Sequence, residues 1–257
     1  MNMKTLTFAL AATLCSASPA ASQVMAYGPG GPAPAMKEAA AAFERETGQR
    51  VVVTAGPTDQ WLPRATTDAD LIFSGAETMM TAFERAFAGQ IDTATIRPLY
   101  LRAGAILVRP GNPSGVSGLR DLARPGHRIL VVEGAGQNGL WEDMAGRTGD
   151  IDLVRAIRRN IVGFAKSSAD AKETWTSDRS IDAWIIWTIW QKANPTISQA
   201  VPVERDLVVY RDVGIGLTKR GKSDPAARRF ADWLASGRAD GIFRRWGWIV
   251  PEKKGEK

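Results

Sequence analysis

The chain contains few of the side chains that carry out covalent or acid–base chemistry. Its 257 residues include one cysteine, Cys15, and one histidine, His127. A catalytic Cys/His pair or a Cys/His zinc site needs more such residues, so both are excluded for the mature chain. His127 precedes a predicted strand and is interpreted as a surface residue. No cofactor, metal or disulfide is predicted.

The acidic residues show no enzyme signature either. The candidates in or near predicted loops are Asp70, Glu77, Glu133, Glu142, Asp143 and Asp182. No spacing among them singles out a pair for acid–base work. A site built from carboxylates alone stays open as an alternative, but the sequence favours binding without catalysis, and the chain is predicted not to be an enzyme.

Long apolar runs and dense positive charge are also missing after residue 22. No later run is apolar enough to cross a bilayer, so the protein is not expected to be embedded in a membrane. The net charge of +6 is spread along the chain without a Lys/Arg block. Nucleic-acid binding is therefore not predicted, whereas a mild positive field favours the approach of a small anion.

Residues 1–22 are predicted to be a cleavable secretory signal peptide. Lys4 supplies a positive start, residues 6–14 are mostly apolar, and residues 20–22 are small, as a cleavage site requires. A lipoprotein signal ending at Cys15 is the alternative, which the bulky Leu14 disfavours. The mature chain is predicted to lie in the periplasm, and its length suits one large domain or two lobes.

A strand, a glycine–proline loop and a helix follow one another in residues 24–48. Residues 24–27 form a short apolar run, residues 28–32 read GPGGP, and a helical pattern runs from Ala35 to a stop at Gly48. Free N–H groups and the helix dipole favour an anion at such a helix start. The alternative is a tight turn without a ligand.

Three more loop-to-helix junctions of this kind follow. We number the four junctions by position: residues 28–31, residues 74–75, residues 134–138 and residues 167–168. In the second junction, Ser74 is expected to cap the helix at residues 78–87, with Glu77 completing a capping box, or to hold a ligand oxygen. In parallel sheets flanked by helices, ligands bind at the carboxyl ends of the strands, where these junctions lie.

Two long extended runs, residues 98–108 and 201–209, are predicted to cross between two lobes. Lobe I would comprise residues 23–104 with 212–257, and lobe II residues 105–211. Two junctions lie in each half, so closure would surround a small oxyanion with amide and hydroxyl donors. No buried lysine or arginine is required. A charged tail from Glu252 is predicted to be disordered.

Nine tryptophans raise the question of aromatic stacking on a sugar. Core packing is expected for most of them. Trp61, in a polar loop predicted at residues 55–61, either covers the core or lines a cleft. Trp141 and Trp187 are the other candidates for lining the cleft.

Motifs spread over the whole mature chain carry a family resemblance. They are AYGPGGP (26–32), DLIFSGAE (70–77), VVEGAGQNGLWEDMAGRTGDI (131–151), DAWIIWTIW (182–190), ERDLVVYR (204–211) and FADWLASGRADGIFRRWGW (230–248). The sequence resembles periplasmic solute-binding proteins of the two-lobed sulfate/molybdate type, and within them the accessory colonization factor C family. The resemblance implies an α/β fold of the type II periplasmic binding protein class, two hinge crossings, and a ligand held between the lobes for an ABC transporter.

In the sulfate and molybdate relatives, serine hydroxyls and backbone amides at helix starts hold the anion. Carried over by position, the resemblance implies ligand contacts from Gly30, Gly31, Ser74, Gly75, Ala135, Gly136 and Ser168. The predicted function is capture of a sulfate-like anion by a monomer that delivers it to an ABC permease. The same scaffold binding a sugar or organic acid, for uptake or for a chemoreceptor, is the alternative. A secreted enzyme that uses carboxylates is the third hypothesis.

Overall fold

The computed structural model describes residues 23–134 and 136–251. The predicted signal peptide with Cys15, the candidate residue Ala135 and the tail from Glu252 lie outside the described residues. Among the described residues, no helix is long and apolar enough to cross a bilayer.

The first part of the chain alternates strands with helices, as its hydrophobic pattern predicts. Its elements are β1 (Val24–Gly28), α1 (Ala33–Thr47), β2 (Val51–Ala55), α2 (Thr58–Asp68), β3 (Leu71–Phe73) and α3 (Glu77–Ala86). Strand β1 pairs in parallel with both β2 and β3. Helix α1 packs Met36, Ala39 and Phe43 against the core. It is followed by Gly48, whose φ of 73° lies in the left-handed region that favours a residue without a Cβ.

Helix α2 begins at Thr58, so the polar loop that the sequence predicts at residues 55–61 was wrong for residues 58–61. Trp61 lies in this helix and is only 2% exposed. Its ring packs against Tyr27 and Phe83, and its indole N–H donates to the Gly56 carbonyl at 3.2 Å. The apolar face of α2 is narrow, so the polar residues around Trp61 concealed the helical period.

The middle of the chain forms a second group of strands and helices. It comprises β4 (Arg97–Val108), β5 (Ile129–Val132), α4 (Leu140–Ala145), α5 (Ile151–Asn160), β6 (Ile161–Ala165), α6 (Ser168–Ser177), β7 (Ala183–Trp187), α7 (Thr188–Ala193) and β8 (Gln199–Val201). Strand β5 pairs in parallel with β6 and β7, while β4 runs antiparallel to β7 and β8. Arg109, just after β4, donates to the carbonyls of Trp175, Asp178 and Ile181, which fixes the end of α6 against this strand.

The chain ends with β9 (Tyr210–Leu217), α8 (Lys219–Ser223), α9 (Pro225–Ala235) and α10 (Asp240–Arg245). Strand β9, rather than residues 201–209, is the second long strand, so the predicted extent of that run was wrong. Glu204 explains the error. Its carboxylate accepts from the amides of Leu119 and Arg120, and its carbonyl accepts from the Leu207 amide at 2.9 Å, which turns the chain within the run predicted to be extended.

Strands β4 and β9 join the two groups into one path of strands. Its order is β2-β1-β3-β9-β4-β7-β5-β6, with β8 beside β4. Strand β4 pairs with β9 over residues 97–103 and with β7 over residues 104–108. The mostly parallel, helix-flanked sheets predicted from the sequence are present on each side of this connection. The division into two lobes at residues 104 and 211 stays a prediction.

The first junction provides a test of how tightly the fold is packed at β1. A Cβ at Gly28 would overlap the carbonyl oxygen and ring of Phe73, whereas a Cβ at Gly30 would meet nothing within 4 Å. We expect Gly28→Ala to lower the free energy of unfolding by roughly 1–3 kcal/mol and Gly30→Ala to change it by less than about 1 kcal/mol. Urea denaturation of both variants measures this difference, and equal losses would contradict it.

Candidate functional site

One small cavity brings together residues from all four loop-to-helix junctions. Its volume is about 120 Å³. The junction residues that line it are Gly30, Gly31, Gly75, Gln137, Ser167 and Ser168, with Ala169 following. Arg102 of β4 lines it as well. The junctions meet because the strands before them end at the same side of the sheet.

Arg102 is the positive charge of this cavity. Its side chain is only 3% exposed, and it donates a hydrogen bond to the Gly75 carbonyl. The guanidinium carbon lies 4.4 Å from the ring centroid of Trp187 and 5.6 Å from that of Trp248, so the cation rests against two indole faces. The Nε atom has no hydrogen-bond partner among the described residues.

Three glycines make room for this guanidinium. A Cβ at Gly31 would lie 3.2 Å from Nη1, while one at Gly75 would lie 2.9 Å and one at Gly136 3.8 Å from Nη2. Each glycine belongs to a different junction. The sequence suggested these glycines as contacts for an anion, and the structure places all three around a cation.

The electrostatics of the cavity favour a negative ligand. Burial lowers the pKa of Arg102 to about 9, the charge of Asp212 opposes this shift, and Arg211 adds to it. The guanidinium therefore stays charged at neutral pH. Arg102 forms no ion pair with a carboxylate of the described chain, and none of the described residues that line the cavity is acidic.

The carboxyl group of Asp212 interacts electrostatically with Arg102 without lining the cavity, and Glu77 neighbours Asp212. Burial raises the pKa of Asp212 in β9, and the charge of Arg102 partly opposes this effect. Burial likewise raises the pKa of Glu77 at the start of α3, and the neighbouring Asp212 raises it further. Asp212 therefore offsets part of the positive charge of Arg102, although it forms no ion pair with it.

The fourth junction presents hydrogen-bond donors at the start of α6. Ser167 caps this helix by accepting from the Asp170 amide at 3.1 Å. Ser168 accepts from the Gln137 side chain, which leaves its own hydroxyl hydrogen available. The amides of Ser168 and Ala169 belong to the first turn, where a helix has no internal acceptors for them.

Ser74 corrects the prediction for the second junction. Helix α3 begins at Glu77, its N-cap is Ala76, and no side chain caps it. Ser74 still belongs to the sheet, since its amide donates to the Gly214 carbonyl at 2.8 Å. Its hydroxyl is fully buried without a partner among the described residues, and Ser74 does not line the cavity. The predicted capping box was therefore wrong, because Ser74 directly follows β3, where its amide is bound to β9, and α3 begins only at Glu77.

The three candidate tryptophans lie outside the cavity. Trp61 is in the core, Trp141 is partly buried against the core on α4, and Trp187 is buried beneath Arg102. Trp190, which follows β7 and was not a candidate, lines the cavity instead. Gly136 borders Arg102 and a neighbouring cavity.

Arg102 and Gln137 are the main residues that the sequence prediction missed. Arg102 is the one charged side chain in residues 98–108, where the flanking residues have the pattern of a buried strand. A lone charge in such a strand was the available signal. Among the described residues, no group of three or more His, Cys, Asp or Glu side chains could hold a metal ion.

The sequence matches one family model over nearly all of the described chain. A model described as bacterial extracellular solute-binding protein matches residues 24–249. No curated protein matches the chain.

Solved structures similar to the chain include PEB3 and two oxyanion-binding proteins. PEB3 with bound L-phospholactate is 38% identical over 89% of this chain and 100% of PEB3, with a TM-score of 0.83. Peb3 from Campylobacter jejuni is 39% identical over the same shares, with a TM-score of 0.82. The sulfate-binding protein SubI from Mycobacterium tuberculosis is 17% identical over 90% of this chain and 88% of SubI, with a TM-score of 0.72.

The periplasmic molybdate-binding protein from Azotobacter vinelandii is 18% identical over 89% of this chain and 100% of that protein, with a TM-score of 0.66. At identities this low, SubI and the molybdate-binding protein indicate a common fold and nothing more. Together these similarities confirm the predicted fold, an α/β fold of the type II periplasmic binding protein class.

A comparison of two buried hydroxyls, those of Thr218 and Ser74, tests whether the Ser74 hydroxyl lacks a hydrogen-bond partner. The Thr218 hydroxyl donates to the Ala69 carbonyl at 2.6 Å and accepts from the Gly221 amide at 3.0 Å, whereas the Ser74 hydroxyl has no partner among the described residues. We expect Thr218→Val to lower the free energy of unfolding by roughly 1–3 kcal/mol and Ser74→Ala to leave it unchanged or raise it. A matching loss at Ser74 in urea denaturation would show that its hydroxyl is bonded.

Proposed function

Because the chain belongs to the bacterial extracellular solute-binding protein family, we propose that it captures a small anion in the cavity around Arg102. The captured solute is handed to an ABC-type permease, or reported to a chemoreceptor. Members of this family bind solutes, which supports binding rather than turnover as the role of the cavity.

The buried charge of Arg102 is the observation that carries this proposal. Placing an ion in a protein interior is unfavourable unless an opposite charge or hydrogen bonds compensate it. Arg102 has one hydrogen bond, to the Gly75 carbonyl, and no ion pair among the described residues. An anion bound in the cavity would supply the missing partner, and a hydrogen bond to a charged group contributes about 1.5–3 kcal/mol.

Donors of the first and fourth junctions would hold the remaining oxygens of the ligand. Gly30 and Gly31 precede α1, and Ser168 with Ala169 begins α6, so amides at two helix starts border the same cavity. Three or four such contacts suffice for micromolar affinity, which corresponds to about −8 kcal/mol.

The apolar part of the cavity lining favours an organic anion over a bare tetraoxyanion such as sulfate. Pro29, Pro32, Pro57, Met79 and Trp190 contribute carbon surface to the cavity. A bare tetraoxyanion has no apolar part to place there, whereas an organic acid has. The bound L-phospholactate of PEB3, which carries a phosphate and a carboxylate, supports the same choice.

We place the protein in the periplasm as a monomer, on the basis of the predicted signal peptide and the family. Residues 23–104 with 212–257 and residues 105–211 would act as two lobes that close on the ligand. Strands β4 and β9 would serve as the hinge.

Calorimetric titration tests the ligand class directly. The mature protein is titrated with sulfate, molybdate, phosphate, L-phospholactate, glucose and glycine. We expect at least one of the four anions to bind with micromolar or tighter affinity, because the cavity carries a buried positive charge that has no ion pair among the described residues, and the uncharged sugar to give no heat. The absence of binding heat from all four anions would contradict the proposal.

Arg102→Met tests the role of the charge. Methionine keeps the side chain apolar and long enough to fill the space between the indole rings. We expect affinity for the best anion of the panel to fall roughly tenfold to a hundredfold, the equivalent of one charged hydrogen bond. The thermal midpoint should not fall, since a buried unpaired cation is removed.

Arg97→Met is the matched control for this substitution. Arg97 lies on the same strand, pairs with Asp232 at 2.8 Å, and is largely exposed away from the cavity. We expect it to retain full affinity. Equal losses in both variants would mean that the effect is nonspecific.

A further inference from the structure

A second and larger cavity continues along α3 from the first. Its volume is about 580 Å³. Met79, Ala82, Phe83 and Ala86 line it from one face of α3, and Gly136 and Asn138 of the third junction lie opposite. Neither the sequence prediction nor the anion site accounts for this space.

Met79 separates the two cavities and lines both of them. Its Cε atom is 2.9 Å from the position that a Cβ on Gly136 would take, and Arg102 Nη2 is 3.8 Å from that same position. The guanidinium that would hold an anion therefore lies near Met79, which lines the second cavity. Methionine is unbranched and flexible, so it can adjust to a group that passes beside it.

The second cavity combines the apolar side chains of α3 with the uncharged polar residues Thr58, Thr78 and Asn138, and its described lining has no unpaired charge. Arg211 is the one charged residue that lines it in the described chain. Its guanidinium already pairs with Asp143 and donates to the Tyr210 carbonyl at 3.1 Å. Because this cation is compensated, the cavity suits an uncharged group, and the α3 side chains favour a carbon chain.

We infer that the ligand is an anion with a short, uncharged carbon substituent, whose head binds at Arg102 and whose substituent extends past Met79 along α3. This inference rests on the proposed function and adds the shape of the ligand. Inorganic oxyanions would fill the first cavity alone and bind more weakly than their alkyl derivatives.

Two homologous series test this inference by calorimetry at constant pH and salt. One runs from sulfate to methyl, ethyl, propyl and butyl sulfate, and the other from phosphate to the corresponding monoalkyl phosphates. We expect affinity to rise about two- to fourfold for each added methylene, as apolar surface leaves water.

Filling the second cavity should remove this gain. Ala82 is exposed on the face of α3 that lines it, so Ala82→Trp places a large ring where the carbon chain would lie. We expect the butyl esters to bind this variant no better than the methyl esters. Thr81→Trp is the control, because Thr81 is exposed on the same helix but lines neither cavity. It should keep the full dependence on chain length.

The outcomes separate this inference from the proposed function. If inorganic anions bind but affinity is flat or falls with chain length, the inference is overturned and the anion site stands. The same holds if Ala82→Trp keeps the chain-length dependence. If no anion of either series binds but molybdate or L-phospholactate does, the inference is overturned and the anion site stands; if those two also fail to bind, the proposed function fails and the inference fails with it.

Discussion

The burial of one guanidinium group shapes the site more than any other interaction. Arg102 lies between two indole rings, donates to a backbone carbonyl, and is surrounded by glycines from three separate loops. A side chain at Gly31 or Gly75 would push against it. The glycines therefore have a steric reason to be where they are, in addition to any contact that their amides make with a ligand. Because the buried guanidinium of Arg102 cannot move into solvent, it favours the binding of an anion that enters the cavity.

The fold places this cation where the junctions converge. Parallel strands on each side of the molecule end toward the cavity, and β4 joins the two sides. Helix starts thus reach the ligand space from both directions, while β4 brings Arg102 between them. Arg109, a few residues further along, ties the end of α6 to this strand through three carbonyls. The end of β4 that pairs with β7 and the helix that carries Ser168 are consequently held together.

The sequence predicts the order of elements well because that information is local. Apolar runs, glycine loops and helical periods alternate, and the rule for strand ends then locates the four junctions at one edge. The predictions for residues 201–209 and for Ser74 were wrong, because the conformation of both depends on contacts with residues that are distant in sequence. Glu204 turns the chain within residues 201–209 by binding amides far away in sequence, and Ser74 is held at the end of β3 by a hydrogen bond to Gly214. The charge of Arg102 was visible in the sequence, but its burial depends on Trp187 and Trp248, which no local pattern connects to it.

The partner change of β4 has a consequence for how binding and shape are coupled. Arg102 lies two residues before Gly104, where this strand exchanges β9 for β7. A solute that attracts the guanidinium thus exerts its force on the stretch of backbone that joins the two halves of the molecule. If residues 23–104 with 212–257 and residues 105–211 close on the ligand as proposed, the affinity and the angle between these two lobes would depend on a single equilibrium, and a substitution that stiffens this stretch would alter both without touching the solute.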